Sequence, residues 1–380
     1  MNYTDEVVYK LEHNKISKRF LKIVLEGLVI LSVLFVLTGC ADNKDVLFDE
    51  MADDDFITGS ITDSFDTSSE NNDELSLENE TDDSHDRQEN LVSSLEAQED
   101  LLLSKKLAVS DDDYQSESVD KSLADKITAP NAILVDITDN VPVISKNIYE
   151  SIYPASTTKL LTAYTALSEM DSDNTVSVFA DNGNVTRAGA KLCGFKKGDS
   201  MSLITLVTSM LIYSGNDAAE DIAYAVGGSE ADFISLMNEK AAKMGATHTH
   251  FVNPHGLHES AHHTTAFDMY IILNSCINGI NDFESIVERS SYTAEYSNSE
   301  GKESTLVFEN TNEFLTGAAK VPDGVTVVGG KTGSTPYAGD CLIQLIECNG
   351  KRYIAGIFGA SSQEDLYTQM TVLLEIAKDE

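Results

Sequence analysis

Residues 41–125 hold 5 Lys+Arg against 27 Asp+Glu, a net of −22 in 85 residues. Such a stretch buries too little apolar surface to offset its chain entropy, so a compact fold is not expected there. Residues 1–40 carry a net of +1 and residues 126–380 a net of −16, which together account for the chain's −37. The middle segment is therefore expected to be an acidic, disordered tether, and any enzyme-sized domain must lie after it. A loose leucine pattern from Leu91 to Leu107 is the one place inside it where a short helix is conceivable. The acid excess also excludes a nucleic-acid partner, since gripping phosphates needs Lys and Arg on the contact face.

The first 40 residues look like a targeting segment. Lys15, Lys18, Arg19 and Lys22 precede the apolar run Gly27–Leu37, which ends in Leu37-Thr38-Gly39-Cys40. A basic stretch, a short apolar run and small residues before a cut site describe an export signal. The run is too short for a span of roughly 20 residues. Leu-Thr-Gly-Cys resembles the lipobox of bacterial lipoproteins, which implies an acylated Cys40 at the mature N-terminus. The competing reading is an uncleaved signal anchor. Either one places the rest of the chain outside the cytoplasm, and two acyl chains would hold it stably on the bilayer. An 85-residue coil spans about 50 Å, enough to let a domain work away from its anchor.

From about residue 126 the composition becomes globular. Ala132–Ile137 and Val141–Ser145 read as strands joined by a polar turn. Helices are expected over 157–170, Leu203–Tyr213, Asp217–Val226, Phe233–Met244, Thr265–Ile277 and Leu366–Ala377. Cys341–Cys348 and Arg352–Phe358 flank Asn349-Gly350, a strong hairpin signal. Strands at both ends and helices between them predict an α+β domain built on an antiparallel sheet.

Three short motifs can carry chemistry. Ser156-Thr157-Thr158-Lys159 places a serine and a lysine on one helix face, where a neutral lysine can take the serine proton. Ser214-Gly215-Asn216 offers a hydroxyl and a carboxamide at a helix–helix junction. Lys331-Thr332-Gly333, after two glycines, suits a strand edge on which a peptide backbone can lie. Singly each is more often a surface pair, a turn or a loop. Their order, with serines 58 residues apart and Lys331 a further 117 along, matches the trio of penicillin-binding proteins and β-lactamases.

The stretches PASTTKLLTAYTAL, SGNDAAEDIA, MNEKAAKMGATHTHFVNPHGL, HTTAFDM and GGKTGSTPYAGDCL extend that likeness over the whole domain. They resemble the serine-type D-alanyl-D-alanine carboxypeptidases, the low-molecular-mass penicillin-binding proteins. The resemblance implies a β-lactamase/transpeptidase-like fold, an antiparallel sheet flanked by helices plus a helical subdomain. It implies Ser156 as nucleophile, Lys159 as base and Ser214 as proton relay. Asn216, Lys331, Thr332 and Gly333 would bind substrate, and the N–H groups of Ser156 and Ser334 would form the oxyanion hole. The implied substrates are peptidoglycan stem peptides, with β-lactams as covalent inhibitors and no cofactor. Lys159 must then be neutral near pH 7, and burial together with Lys331 is expected to depress it.

Three features depart from the pattern. Ser334 follows the third motif where relatives often carry a larger residue. The stretch Phe358–Ser362 supplies no arginine for a substrate carboxylate, leaving that task to Lys331 and Thr332. The extra C-terminal β-domain of several relatives has no counterpart before Glu380. A β-lactamase is disfavoured because no Glu-x-x-Leu-Asn lies between Asn216 and Lys331; a penicillin or cell-wall-peptide sensor is the rival from another class. Six histidines crowd 248–263 (His248, His250, His255, His258, His262, His263), a density that admits zinc. Two of their segments match metal-free family stretches, so no metal is expected. Cys193, Cys276, Cys341 and Cys348 are expected as buried thiols, the last two on opposite faces of one strand.

Overall fold

The computed structural model describes residues 113–181, 185, 187 and 189–380. The signal segment with Cys40, the Leu91–Leu107 pattern and residues 41–112 of the acidic stretch lie outside them.

The strands are β1 (Asp113–Gln115), β2 (Asn131–Asp136), β3 (Val141–Lys146), β4 (Thr175–Ser177), β5 (Ser200–Ser202), β6 (Ser291–Ser297), β7 (Glu303–Glu309), β8 (Val325–Thr335), β9 (Gly339–Cys348) and β10 (Lys351–Ala360). The helices are α1 (Lys121–Ala124), α2 (Lys159–Glu169), α3 (Leu203–Tyr213), α4 (Asn216–Gly227), α5 (Glu230–Lys243), α6 (Ala266–Gly279), α7 (Phe283–Val287), α8 (Glu313–Thr316) and α9 (Gln363–Asp379), with a 3-10 turn at Ala155–Thr158 ahead of α2. Six strands form one antiparallel sheet in the order β1-β3-β2-β10-β9-β8. A smaller sheet runs β4-β5-β6-β7. This is the expected α+β architecture.

Each face of the main sheet has its own core. One buries Ile133, Val135, Ile343 and Ile354 against Leu160, Leu161, Met210 and Met269 of the helical layer. The other buries Leu134, Leu342 and Ile357 against Leu366, Met370 and Leu373 of α9. Leu373 is fully buried, so Leu373→Ala would cost about 2–5 kcal/mol. Strands β2, β9 and β10 are apolar on both faces because both faces are covered. Side-chain caps set the helix starts: Ser202, Ser229, Thr265 and Ser362 each accept an N–H from the third residue onward.

Packed structure begins before residue 126. β1 pairs with β3, and Val119 and Ile127 join the α9-side core. A few well-placed apolar residues next to an open sheet edge outweigh the local acidity. The hairpin β6–β7 was not expected either. Its faces are mostly accessible (Val307 is 71% exposed): only Ala294 and Phe308 are buried, with Tyr292, Tyr296 and Leu306 packed partly against the core.

Cys341 belongs to the helical-layer core and Cys348 to the α9-side core, the opposite-face placement predicted from their spacing. All four described cysteines are buried free thiols.

Candidate active site

The three motifs meet at the β8 edge of the main sheet. The 3-10 turn carries Ser156, and α2 opens on Lys159 one turn later. Ala155 is held at a φ of 49°, an uncommon left-handed conformation for a side chain with Cβ. The loop over it carries Gly256, where a Cβ would sit 1.8 Å from the Ala155 carbonyl oxygen, so no larger residue fits. Helix α3 stops at Ser214, which adopts the left-handed conformation at φ 69° and donates its N–H to the Met210 carbonyl. Asn216 then starts α4. Strand β8 brings Lys331, Thr332 and Gly333 alongside. A Cβ at Gly333 would lie 2.9 Å from the Ser156 nitrogen and 3.0 Å from the Pro154 oxygen, so the strand and the Ser156 turn are in direct contact.

Lys159 is fully buried and has three partners: Ser156 Oγ at 3.0 Å, Asn216 Oδ1 at 2.8 Å and the His255 carbonyl at 2.6 Å. The Asn216 orientation is fixed, because its Nδ2 donates to the Lys191 carbonyl at 3.0 Å. Asn216 Oδ1 and the His255 carbonyl can only accept. A neutral amine has two N–H groups and one lone pair, so satisfying both acceptors leaves the lone pair for the Ser156 hydroxyl proton. Burial pulls the Lys159 pKa down to about 7, with Lys191 pushing the same way and Cys193 and Asp217 opposing. Lys191 is thus a second cation acting on this amine, besides the expected Lys331, whose repulsion with Lys159 is mutual.

Lys331, also fully buried, donates to Ser214 Oγ and to the Thr332 carbonyl, each at 2.9 Å. Burial, then the positive Lys159, depress its pKa well below the usual lysine value. With its oxygen accepting from Lys331, Ser214 keeps its own proton to donate. Thr332 Oγ1 donates to Thr311 Oγ1 at 2.6 Å.

Ser156, Ser214, Asn216, Thr332, Gly333 and Ser334 all line one cavity of about 350 Å³. Sequence reasoning missed several of its neighbours. Thr311 is held by its N–H to the Ile212 carbonyl and lies on a loop with no motif of its own. Lys191 and Asp340 also line the cavity. A lysine two residues before Cys193 carries no pattern that could have marked it.

Behind Lys159, two of the histidines that suggested zinc, His255 and His262, are committed to hydrogen bonds. His255 Nδ1 accepts from Leu257 N–H at 3.1 Å, which leaves Nε2–H to meet Glu220 Oε1 at 3.1 Å. His262 Nδ1 accepts from Val252 N–H at 3.1 Å and its Nε2 meets Thr158 Oγ1 at 2.8 Å, while Thr158 donates to the Ala155 carbonyl. Burial pushes both histidines down to about 3 and Glu220 up to about 7. Among the described residues no group of three or more His, Cys, Asp or Glu is arranged around a metal-sized site.

Comparison with known proteins agrees with this geometry. Residues 116–362 match the peptidase S11 family, described as D-alanyl-D-alanine carboxypeptidase. The chain is similar to the D-alanyl-D-alanine carboxypeptidase DacF of Bacillus subtilis, 30% identical over 253 residues that make up 66% of this chain and 62% of that protein. It is similar to DacD of Salmonella typhimurium, 29% identical over 64% of this chain and 61% of that protein. It thus spans about three fifths of the length of these curated relatives. Among solved structures, the Streptomyces K15 DD-transpeptidase matches with a TM-score of 0.60 at 25% identity, over 66% of this chain and 97% of that one.

Proposed function

The chain belongs to the D-alanyl-D-alanine carboxypeptidase family of serine peptidases, and we propose that it removes the terminal D-alanine from peptidoglycan stem peptides through a serine acyl-enzyme. The hydrogen-bond set of Lys159 carries this reading: two permanent acceptors consume its N–H groups and its lone pair faces Ser156.

Lys159 takes the Ser156 proton as Oγ bonds to the carbonyl carbon between the two D-alanines. The carbonyl oxygen becomes an oxyanion held by the N–H groups of Ser156 and Ser334, each worth about 3 kcal/mol. Ser214 passes a proton to the leaving nitrogen as the C–N bond breaks, and Lys331 replenishes it through their 2.9 Å contact. Asn216 holds the substrate backbone, Thr332 binds the terminal carboxylate and Gly333 lets the peptide lie close to β8. Water then releases the shortened peptide. β-Lactams would acylate Ser156 by the same opening steps.

The deciding experiment is incubation of the protein with diacetyl-Lys-D-Ala-D-Ala and measurement of free D-alanine. Release that vanishes in Ser156→Ala supports a carboxypeptidase. Covalent penicillin binding without D-alanine release favours the sensor, and rapid penicillin turnover a β-lactamase.

The domain is further proposed to work outside the cytoplasm, acylated at Cys40 and joined to the membrane by the acidic segment. The basic and apolar pattern before Leu37-Thr38-Gly39-Cys40 supports this. Unchanged membrane fractionation and processing in Cys40→Ala would overturn it.

A further inference from the structure

The catalytic cavity contains a cation that the mechanism above does not use. Lys191 lines it together with Ser156, Ser214, Thr311 and Thr332. Its backbone is pinned to the second motif, because its carbonyl accepts both from Asn216 N–H at 2.8 Å and from Asn216 Nδ2 at 3.0 Å. Its ammonium sits 4.2 Å from the ring centroid of Tyr213, the residue before Ser214, and Tyr213 in turn packs on Phe308. Among the described residues no carboxylate lies within ion-pair distance of it, and Glu309 acts on it only through space. The cavity thus holds an exposed lysine on an aromatic shelf, with its main chain fixed and its ammonium in no hydrogen bond or ion pair among the described residues.

The other two lysines are committed. Lys159 serves Ser156, Asn216 and His255, and Lys331 serves Ser214 and Thr332. The stretch Phe358–Ser362 offers no arginine. A substrate ending in a free carboxylate still brings a full negative charge into a confined cavity, and a desolvated charge needs a partner. Asp340, also on the cavity wall, would repel it from its own side.

We propose that Lys191 binds the C-terminal carboxylate of the substrate peptide, acting with the Thr332–Thr311 hydroxyl pair, and so selects for peptides with a free terminus. Thr332 donates to Thr311 at 2.6 Å, which frees the Thr311 proton for the same carboxylate. This inference rests on the carboxypeptidase reading of the site. Burial lowers the Lys191 pKa in the empty cavity, and an arriving carboxylate would draw it back up.

Three ligands test it against Lys191→Gln and Lys191→Arg. Diacetyl-Lys-D-Ala-D-Ala and benzylpenicillin both carry a carboxylate beside the bond that opens. N-acetyl-D-boroalanine engages Ser156 but has no leaving group and no such carboxylate. Lys191→Gln is expected to raise KM for the peptide and slow penicillin acylation by about 10-fold or more, the usual scale of a lost charge-assisted bond. Its inhibition by the boronic acid should stay within about threefold of the parent, and Lys191→Arg should keep most of the peptide affinity. Equal losses on all three ligands, or no loss on the two carboxylates, would overturn the proposal. The peptide has no anion on its acyl side, so a loss confined to anionic stem peptides would also overturn it. Failure of the parent protein to release D-alanine would sink the carboxypeptidase reading alone, because penicillin and the boronic acid still report on Lys191.

Discussion

Lys159 reaches the backbone carbonyl of His255 at 2.6 Å, closer than the 3.0 Å that separates it from Ser156. The amine proposed as the base is thus held more closely by the scaffold than by the proposed nucleophile. That is the arrangement expected of a group that must lose its hold on the serine proton later in the cycle.

The pH dependence of acylation follows. Burial sets the Lys159 pKa at about 7, and only the neutral amine can accept a proton. The neutral fraction rises with pH through that value, so penicillin acylation measured from pH 5 to 9 should climb and level off above about 8. A flat profile would contradict a Lys159 base. Lys159→Arg keeps the charge but cannot deprotonate, and should lower acylation by about 10²–10⁴-fold.

Glu220 should act on rate rather than on binding. Its carboxyl meets His255 Nε2, and the carbonyl of that histidine holds Lys159. Glu220→Gln preserves an acceptor and should retain activity. Glu220→Leu leaves a buried N–H without a partner and should lower kcat about 10-fold with KM little changed. Steady-state kinetics on both variants read the difference.

Gly333→Ala should acylate at least about 100-fold more slowly while remaining folded. The new Cβ meets the Ser156 nitrogen at 2.9 Å, and displacing the nucleophile by even part of an ångström is costly. Residues 331–335 keep their β9 partners, so thermal unfolding should change little.

Asp221→Asn should stabilise the protein at alkaline pH. Burial raises the Asp221 pKa from 3.8 to about 8, and its Oδ2 has no hydrogen-bond partner. The fold prefers the protonated acid, so this residue's contribution is present at low pH. It is lost progressively as pH rises from about 4 to 8. Asparagine removes that loss. A Tm gain of about 2–4 °C at pH 9, absent at pH 4, is the expected result.

Motif residues and long helices were legible because each is local. Ser156 and Lys159 lie one turn apart, and α3, α6 and α9 repeat apolar residues at helical spacing. The rest depends on contacts between distant segments. Nothing near Thr311 announces that Thr332 will meet it across 21 residues, nor that Glu220 will face His255 across 35. The same limit hid the start of the domain. Charge density marked residues 41–125 as one block, whereas β1 is defined by the sheet edge it completes.

The strand order β1-β3-β2-β10-β9-β8 puts the first described residues and the Lys331-Thr332-Gly333 strand on opposite edges of one sheet. Five strand spacings separate them, roughly 24 Å at 4.8 Å each. The β8 edge is therefore open to an approaching polymer without hindrance from β1 on the far side of the sheet.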